Sequence, residues 1–354
     1  KVVIPFSNEV IASPRRTFHL RRTAMSNVLA ALKNWFDRRN NNYRRNSGPW
    51  RQTPPFTTEH LDSLKEKIEN FSPPPALNIS RVRILLIGMT GSGKSSIYNT
   101  VDSFFSGRIT QKAICGTAVG SLTTSYRPYL IRGSTDKPLN FWLCDTYGLE
   151  ESQGPNLVEL NYLLDGHVPV GYQFNPDSPI TSQASGFIRH PKLEDKVHCV
   201  VFVIDASVVD MALNWFWRRL STLQVQMNKK GIPRAVFLTK IDQVSPTIAD
   251  DVSRVFQSSE FKQKVTKVAE KLGVPENSIL PIRNYYEETN LDEKINILAL
   301  TALDQVLGFA NDFLIGQLDL MEGSGRHEMD QLQVFFVIAV CIVFVILVIY
   351  LCLQ

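Results

Sequence analysis

The sequence predicts an α/β fold, a three-layer domain built on a mostly parallel sheet, followed by a C-terminal transmembrane helix. Three observations predict it. Short apolar runs of strand length alternate with helical stretches from about residue 77 to residue 320, the pattern of a parallel sheet covered on both faces. The first of these runs, Val82 to Ile87, delivers the octapeptide Gly88-Met89-Thr90-Gly91-Ser92-Gly93-Lys94-Ser95. Near the end of the chain, Val334 to Leu353 form twenty consecutive residues without a charge.

Taken in chain order, residues 1–56 read as a basic arm. The first 51 residues carry eleven Lys or Arg and two Asp or Glu, so a local charge near +9 hides inside an overall +4. Arg15-Arg16, Arg21-Arg22, Arg38-Arg39 and Arg44-Arg45 alternate with Phe18, Trp35, Phe36, Tyr43 and Trp50. Basic and aromatic residues together suit an anionic membrane surface or RNA. Asn40-Asn41-Asn42 and the lack of sustained apolar periodicity favour a solvated, disordered arm over a dedicated nucleic-acid binder. Residues 57–76 follow as a helix and proline linker: Leu61, Leu64, Ile68 and Phe71 share one helical face, and Pro73-Pro74-Pro75 stops it.

The octapeptide matches G-x-x-x-x-G-K-S, set between an apolar strand and the helix opened by Ser95-Ser96-Ile97. Its glycines let successive N–H groups and a helix N-terminus converge on a polyanion. Gly88, Thr90, Gly91, Ser92, Gly93, Lys94, Ser95 and Ser96 are the candidate phosphate contacts, with Lys94 for the outer phosphates and the Ser95 hydroxyl for Mg²⁺. A further Mg²⁺ hydroxyl comes from Thr123 or Thr124, ahead of a strand at Tyr126 to Ile131. The next strand, Leu139 to Cys144, ends in Asp145-Thr146-Tyr147-Gly148, where Asp145 serves Mg²⁺ and Gly148 offers a backbone N–H to a terminal phosphate.

An excursion over residues 150–196, with a helix at Leu157 to Leu164, is the candidate surface for a homodimer or effector, or else a passive detour. A strand at Val197 to Ile204 and a helix at Val209 to Lys229 come next, the latter holding Trp215-Phe216-Trp217 as core and Arg218-Arg219 as exposed residues. Strand Arg234 to Leu238 then delivers Thr239-Lys240-Ile241-Asp242. Asp242 can accept from guanine N1–H and the exocyclic amine, which adenine lacks, while the Lys240 stem lies along the purine. Strand Ser278 to Ile282 leads to Asn284, a candidate base contact, and a helix at Leu291 to Leu318 closes the domain over 77–320. These motifs in this order make the domain P-loop GTPase-like, binding GTP or GDP with Mg²⁺.

Residues 321–333, with Gly323-Ser324-Gly325, read as a linker, and 334–353 as a transmembrane tail anchor. Twenty helical residues span about 30 Å, the hydrocarbon thickness of a bilayer. With Gln354 alone beyond it, the anchor is expected to insert after synthesis and to leave the nucleotide domain in the cytosol. Cys115, Cys144, Cys199, Cys341 and Cys352 form no C-x-x-C pair, which fits reduced thiols.

From about Pro49 to Phe313 the chain resembles the interferon-induced protein 44 and 44-like family. The resemblance rests on Gly107-Arg108-Ile109-Thr110, Tyr126-Arg127-Pro128-Tyr129, Gly166-His167, Tyr172-Gln173-Phe174-Asn175-Pro176 and Asp195-Lys196-Val197-His198-Cys199-Val200. It implies a GTPase-like protein tied to interferon-driven antiviral responses. Leu149 stands where some GTPases place a water-orienting glutamine, so hydrolysis is expected to be slow or partner-stimulated, with Glu150, Glu151, Gln153 or Arg108 as substitutes. The alternative is a nucleotide-stabilised scaffold with little turnover.

Overall fold

β1, Val82–Gly88, is buried at every position, as a central strand between two helical layers must be. The computed structural model describes residues 48–115, 125–151, 155–175 and 177–352, with side chains as far as Glu322. Contacts divide the chain into two units, Lys1–Arg51 and Gln52–Gln354. The expected basic arm and Thr123, Thr124 and Gln153 lie almost wholly or wholly outside the described residues.

Five further strands join β1: β2 (Arg127–Arg132), β3 (Pro138–Asp145), β4 (Cys199–Asp205), β5 (Arg234–Thr239) and β6 (Ile279–Pro281). They form one sheet in the order β2-β3-β1-β4-β5-β6. All neighbours pair in parallel except β2 and β3. That pair is antiparallel because only residues 133–137 separate its strands, closed by Gly133 N–H to Lys137 O at 2.9 Å. A parallel crossover needs a dozen residues or more.

Side-chain alternation sorts the core. Val82, Ile84 and Leu86 of β1, with Cys199, Val201 and Val203 of β4, pack with α1 (Thr58–Glu69), α2 (Lys94–Ser106) and the closing helix. Leu85, Ile87, Val200, Phe202 and Ile204 point the other way and are equally buried. The insertion contributes α3 (Leu157–Leu164), and the second helical layer is built on α4 (Asn214–Lys230), with α5 (Pro246–Asp250) and α6 (Ser259–Leu272) following β5. Phe216, Trp217, Leu220 and Met227 of α4 and Phe261, Val265 and Val268 of α6 are buried, so the Trp-Phe-Trp run is largely core.

The closing helix, α7, runs Glu293–Cys352. Leu300, Leu303, Val306, Leu307, Ala310 and Leu314 place its first half in the core beside α1 and α2. That half, Glu293–Glu322, is long and apolar enough to cross a membrane, but more than half of its apolar window is buried inside the fold. It is therefore a core helix. The backbone stays helical through 321–333, where the sequence reading places a linker. Helix propagated from both sides outweighs the roughly 1 kcal/mol that each glycine costs.

The insertion is packed rather than loose. Asn156 and Glu159 cap α3 reciprocally. The buried Glu159 carboxylate also accepts from Tyr172 OH at 2.7 Å and Ile180 N–H at 3.2 Å. His167 stacks on Phe187 at 4.9 Å. Tyr126 N–H donates to Tyr172 O at 2.8 Å, which ties the excursion to the start of β2.

Candidate functional site

β1, β3, β4 and β5 end at one edge of the sheet, in Gly88, Asp145, Asp205 and Thr239. Ligands of open α/β sheets bind outside these carboxyl ends. Here the structure brings the Lys94 loop, Asp145 and the Thr239 turn to one edge, while Thr123 and Thr124 lie outside the described residues.

The loop between β1 and α2 curls through Gly91 and Gly93, at φ +73° and +97°. L side chains rarely adopt these values. Lys94 turns back over the loop and donates to Gly88 O at 3.1 Å and Met89 O at 3.0 Å. Burial pushes its ammonium below the usual lysine range, against the pull of Asp145 and Glu150. Ser95 Oγ donates to Asp145 Oδ2 at 2.5 Å, while Asp145 Oδ1 accepts Thr146 N–H at 2.9 Å. A hydroxyl and a carboxylate oxygen thus converge beside the loop lysine, a hard donor set suited to Mg²⁺. Among the described residues no group of three or more His, Cys, Asp or Glu is arranged to hold a metal. A Mg²⁺ ion that shares phosphate oxygens and waters does not need such a group.

The segment after β3 is pressed onto the loop. Leu149 N–H donates to Gly88 O at 2.9 Å, and Met89 and Leu149 form a parallel bridge. A Cβ on Gly148 would lie 2.2 Å from Thr90 Oγ1 and 2.7 Å from Thr90 N, so only glycine fits there. The Leu149 side chain is buried at 1% exposure and cannot meet a water. Of the possible substitutes, Glu150 is the one brought to the loop: Thr90 Oγ1 donates to its Oε1 at 2.7 Å. Glu151 is exposed. Arg108 is exposed too, beyond the C-terminal end of α2, about 20 Å along that helix from Lys94. It hydrogen-bonds Ile109 O instead. Arg219 departs from the expected exposed arginine, because its guanidinium donates to Glu150 O at 2.9 Å and to Pro155 O.

On the other side of the loop, Thr239 Oγ1 donates to Ser92 O at 2.6 Å. Lys240 adopts a left-handed φ of +53°, and its ammonium pairs with Asp205 Oδ2 at 2.7 Å. Asp205 is steadied in turn by Ser207 N–H and Oγ, at 2.9 and 2.6 Å. Asp242 is half-buried in a short 3₁₀ turn, Ile241–Gln243. Asn284 reaches the loop itself: its Nδ2 donates to Gly93 O at 3.4 Å and its Oδ1 accepts Thr100 Oγ1 at 3.2 Å. Its side chain therefore ties the loop after β6 to α2. Sequence reasoning missed Thr90, as a partner of Glu150, and Thr100. It also missed Asp205, for which an acid closing the apolar run of β4 was an available signal.

No protein-family model matches the chain. Curated relatives do. Human interferon-induced protein 44-like is 37% identical over 259 residues, covering 72% of this chain and 57% of the relative. Over 71% of this chain, human interferon-induced protein 44 is 34% identical and the mouse protein 33%, with 57% and 60% of those relatives covered. Over about 71% of its length the chain is thus similar to interferon-induced protein 44 and 44-like proteins. It spans less than two thirds of the length of these curated relatives. Two solved structures are similar at lower level. A dimerization-deficient mutant of Toc33 from Arabidopsis thaliana is 15% identical with a TM-score of 0.42, covering 74% of this chain and 95% of that one. The probable GTP-binding protein engB is 12% identical with a TM-score of 0.38, covering 65% and 100%.

Proposed function

We propose that this chain is a Mg²⁺-dependent guanine-nucleotide-binding protein of interferon-linked immunity, held at a membrane by residues 334–353, with slow or partner-stimulated GTP hydrolysis. The observation that carries the nucleotide reading is the meeting, at one sheet edge, of the Lys94 loop, the Ser95 and Asp145 oxygens and the Thr239-Lys240-Ile241-Asp242 turn. Loop N–H groups and the N-terminus of α2 take phosphate oxygens, and Lys94 exchanges its loop carbonyls for the outer phosphates. Ser95 and Asp145 hold Mg²⁺, directly or through water, and the ion neutralises phosphate charge. Asp242 takes the guanine edge, with Lys240 held along the ring by Asp205.

The interferon link comes from the names of the relatives. The membrane reading comes from the uncharged run of 334–353, whose backbone is helical to Cys352. A scaffold with little turnover is the second reading, favoured by the buried Leu149 in place of a water-orienting side chain. Calorimetry with GTP, xanthosine triphosphate and ATP in Mg²⁺ buffer tests the proposal. Micromolar or tighter binding of GTP alone supports it, and absence of heat with any guanine nucleotide on folded protein removes it. Phosphate release above a Lys94→Ala control at rising protein concentration, with and without liposomes, separates GTPase from scaffold.

A further inference from the structure

The contact between Thr90 and Glu150 concerns the terminal phosphate. Thr90 is the third residue of the loop, and its hydroxyl donates to Glu150 Oε1 at 2.7 Å. Directly beneath lies Gly148, packed so closely on Thr90 that a Cβ could not be accommodated. The carboxylate is near enough to Lys94 to act on its charge, together with Asp145. Two backbone contacts hold Glu150 in place: Leu149 N–H on Gly88 O at 2.9 Å, and Arg219 on Glu150 O at 2.9 Å. An anionic group thus sits over the loop beside the lysine that serves outer phosphates.

We infer that Glu150, docked on Thr90, is a specificity-determining residue that competes with the terminal phosphate and biases the site toward guanosine diphosphate over triphosphate. The inference rests on the nucleotide reading above. A terminal phosphate carries more negative charge than any side chain, and like charges a few ångströms apart in a partly buried site repel strongly. Triphosphate binding must lift Glu150 from Thr90 and out along the segment held by Arg219. Diphosphate binding, which ends one phosphate short, leaves the contact in place. Glu150 thereby favours the diphosphate without touching the base or the inner phosphates.

The test is calorimetry on the full chain in detergent with Mg²⁺, using GDP and a non-hydrolysable GTP analogue, for wild type, Glu150→Gln and Thr90→Val. Glutamine keeps the shape and removes the charge; valine keeps the branch and removes the hydroxyl that docks the carboxylate. The ratio of triphosphate Kd to diphosphate Kd should fall roughly tenfold in Glu150→Gln, about 1.4 kcal/mol of relief, and by a smaller factor in Thr90→Val. If both variants bind both nucleotides at the wild-type ratio, the inference is overturned and the nucleotide reading stands. Selective weakening of triphosphate binding in Glu150→Gln overturns it in the same way. If none of the three proteins binds either nucleotide, both fall together.

Discussion

The two edges of the sheet both carry buried polar groups and use them in opposite ways. At the edge where β1 and β4 begin, Arg83 N–H donates to His198 Nδ1 at 2.8 Å, and His198 Nε2 is left with the proton that it donates to Leu193 O at 2.9 Å. Arg83 closes the set through Glu194 O at 2.7 Å, an ion pair with Asp195 at 3.5 Å and stacking on Trp142 at 4.7 Å. Every partner there is protein. At the opposite edge, Lys94 rests on carbonyls that it can exchange, and Asp242 stands half-exposed on a turn. Buried polarity alone does not make a site; what distinguishes one is polarity whose partners can be traded for a ligand.

The sharpest way to break this comparison is Asp242→Asn. We expect GTP affinity to fall about 1,000-fold, because a site built to pair with a base edge rejects an analogue that leaves its groups unpaired, while xanthosine triphosphate affinity rises. A change of less than threefold by calorimetry would mean that the Asp242 edge does not read the base. Lys94→Ala should cost about 100-fold in triphosphate affinity, the loss of a charge-assisted contact. Its thermal melting should move little, since a buried ammonium is removed together with its hydrogen bonds.

The closed edge yields the next effect. Burial lowers the His198 pKa from 6.5 to about 4, so the folded protein keeps the imidazole neutral where the unfolded chain protonates it. The resulting stability is complete above pH 6.5 and is lost as pH falls toward 4, up to about 3 kcal/mol. Urea unfolding across that window should show the loss, and His198→Asn, which does not titrate there, should flatten it. The smallest effect lies away from both edges. Ser258 Oγ accepts Phe261 N–H at 3.1 Å at the start of α6, and Ser258→Ala should cost about 1 kcal/mol of stability with no change in nucleotide affinity.

Much of this was legible in the residues. Strands of mostly apolar character announce themselves, and β1, despite Arg83, and β5 fall within a residue of their apolar runs. The loop, Asp145 and Thr239 to Asp242 were placed by motif, since phosphate and guanine recognition constrain several residue types at fixed spacing. The antiparallel turn between β2 and β3 was also available, given the five residues between them, but a βα rhythm elsewhere masks it. Partnerships were not legible. Nothing in sequence spacing pairs Thr90 with Glu150, Lys240 with Asp205 or Arg219 with the segment after β3, because each joins residues that only the sheet brings together. The α7 boundary was blurred for another reason: Gly323 and Gly325 weaken helix locally without forbidding it.

Asn284 joins Gly93 and Thr100, so the loop after β6 and the loop after β1, proposed to face base and phosphates, share one mount on α2. On the proposed reading, a nucleotide would meet a caliper of set gap. Lengthening the tether between base and first phosphate by even one atom would pull one end out of register, whatever the chemistry of either end.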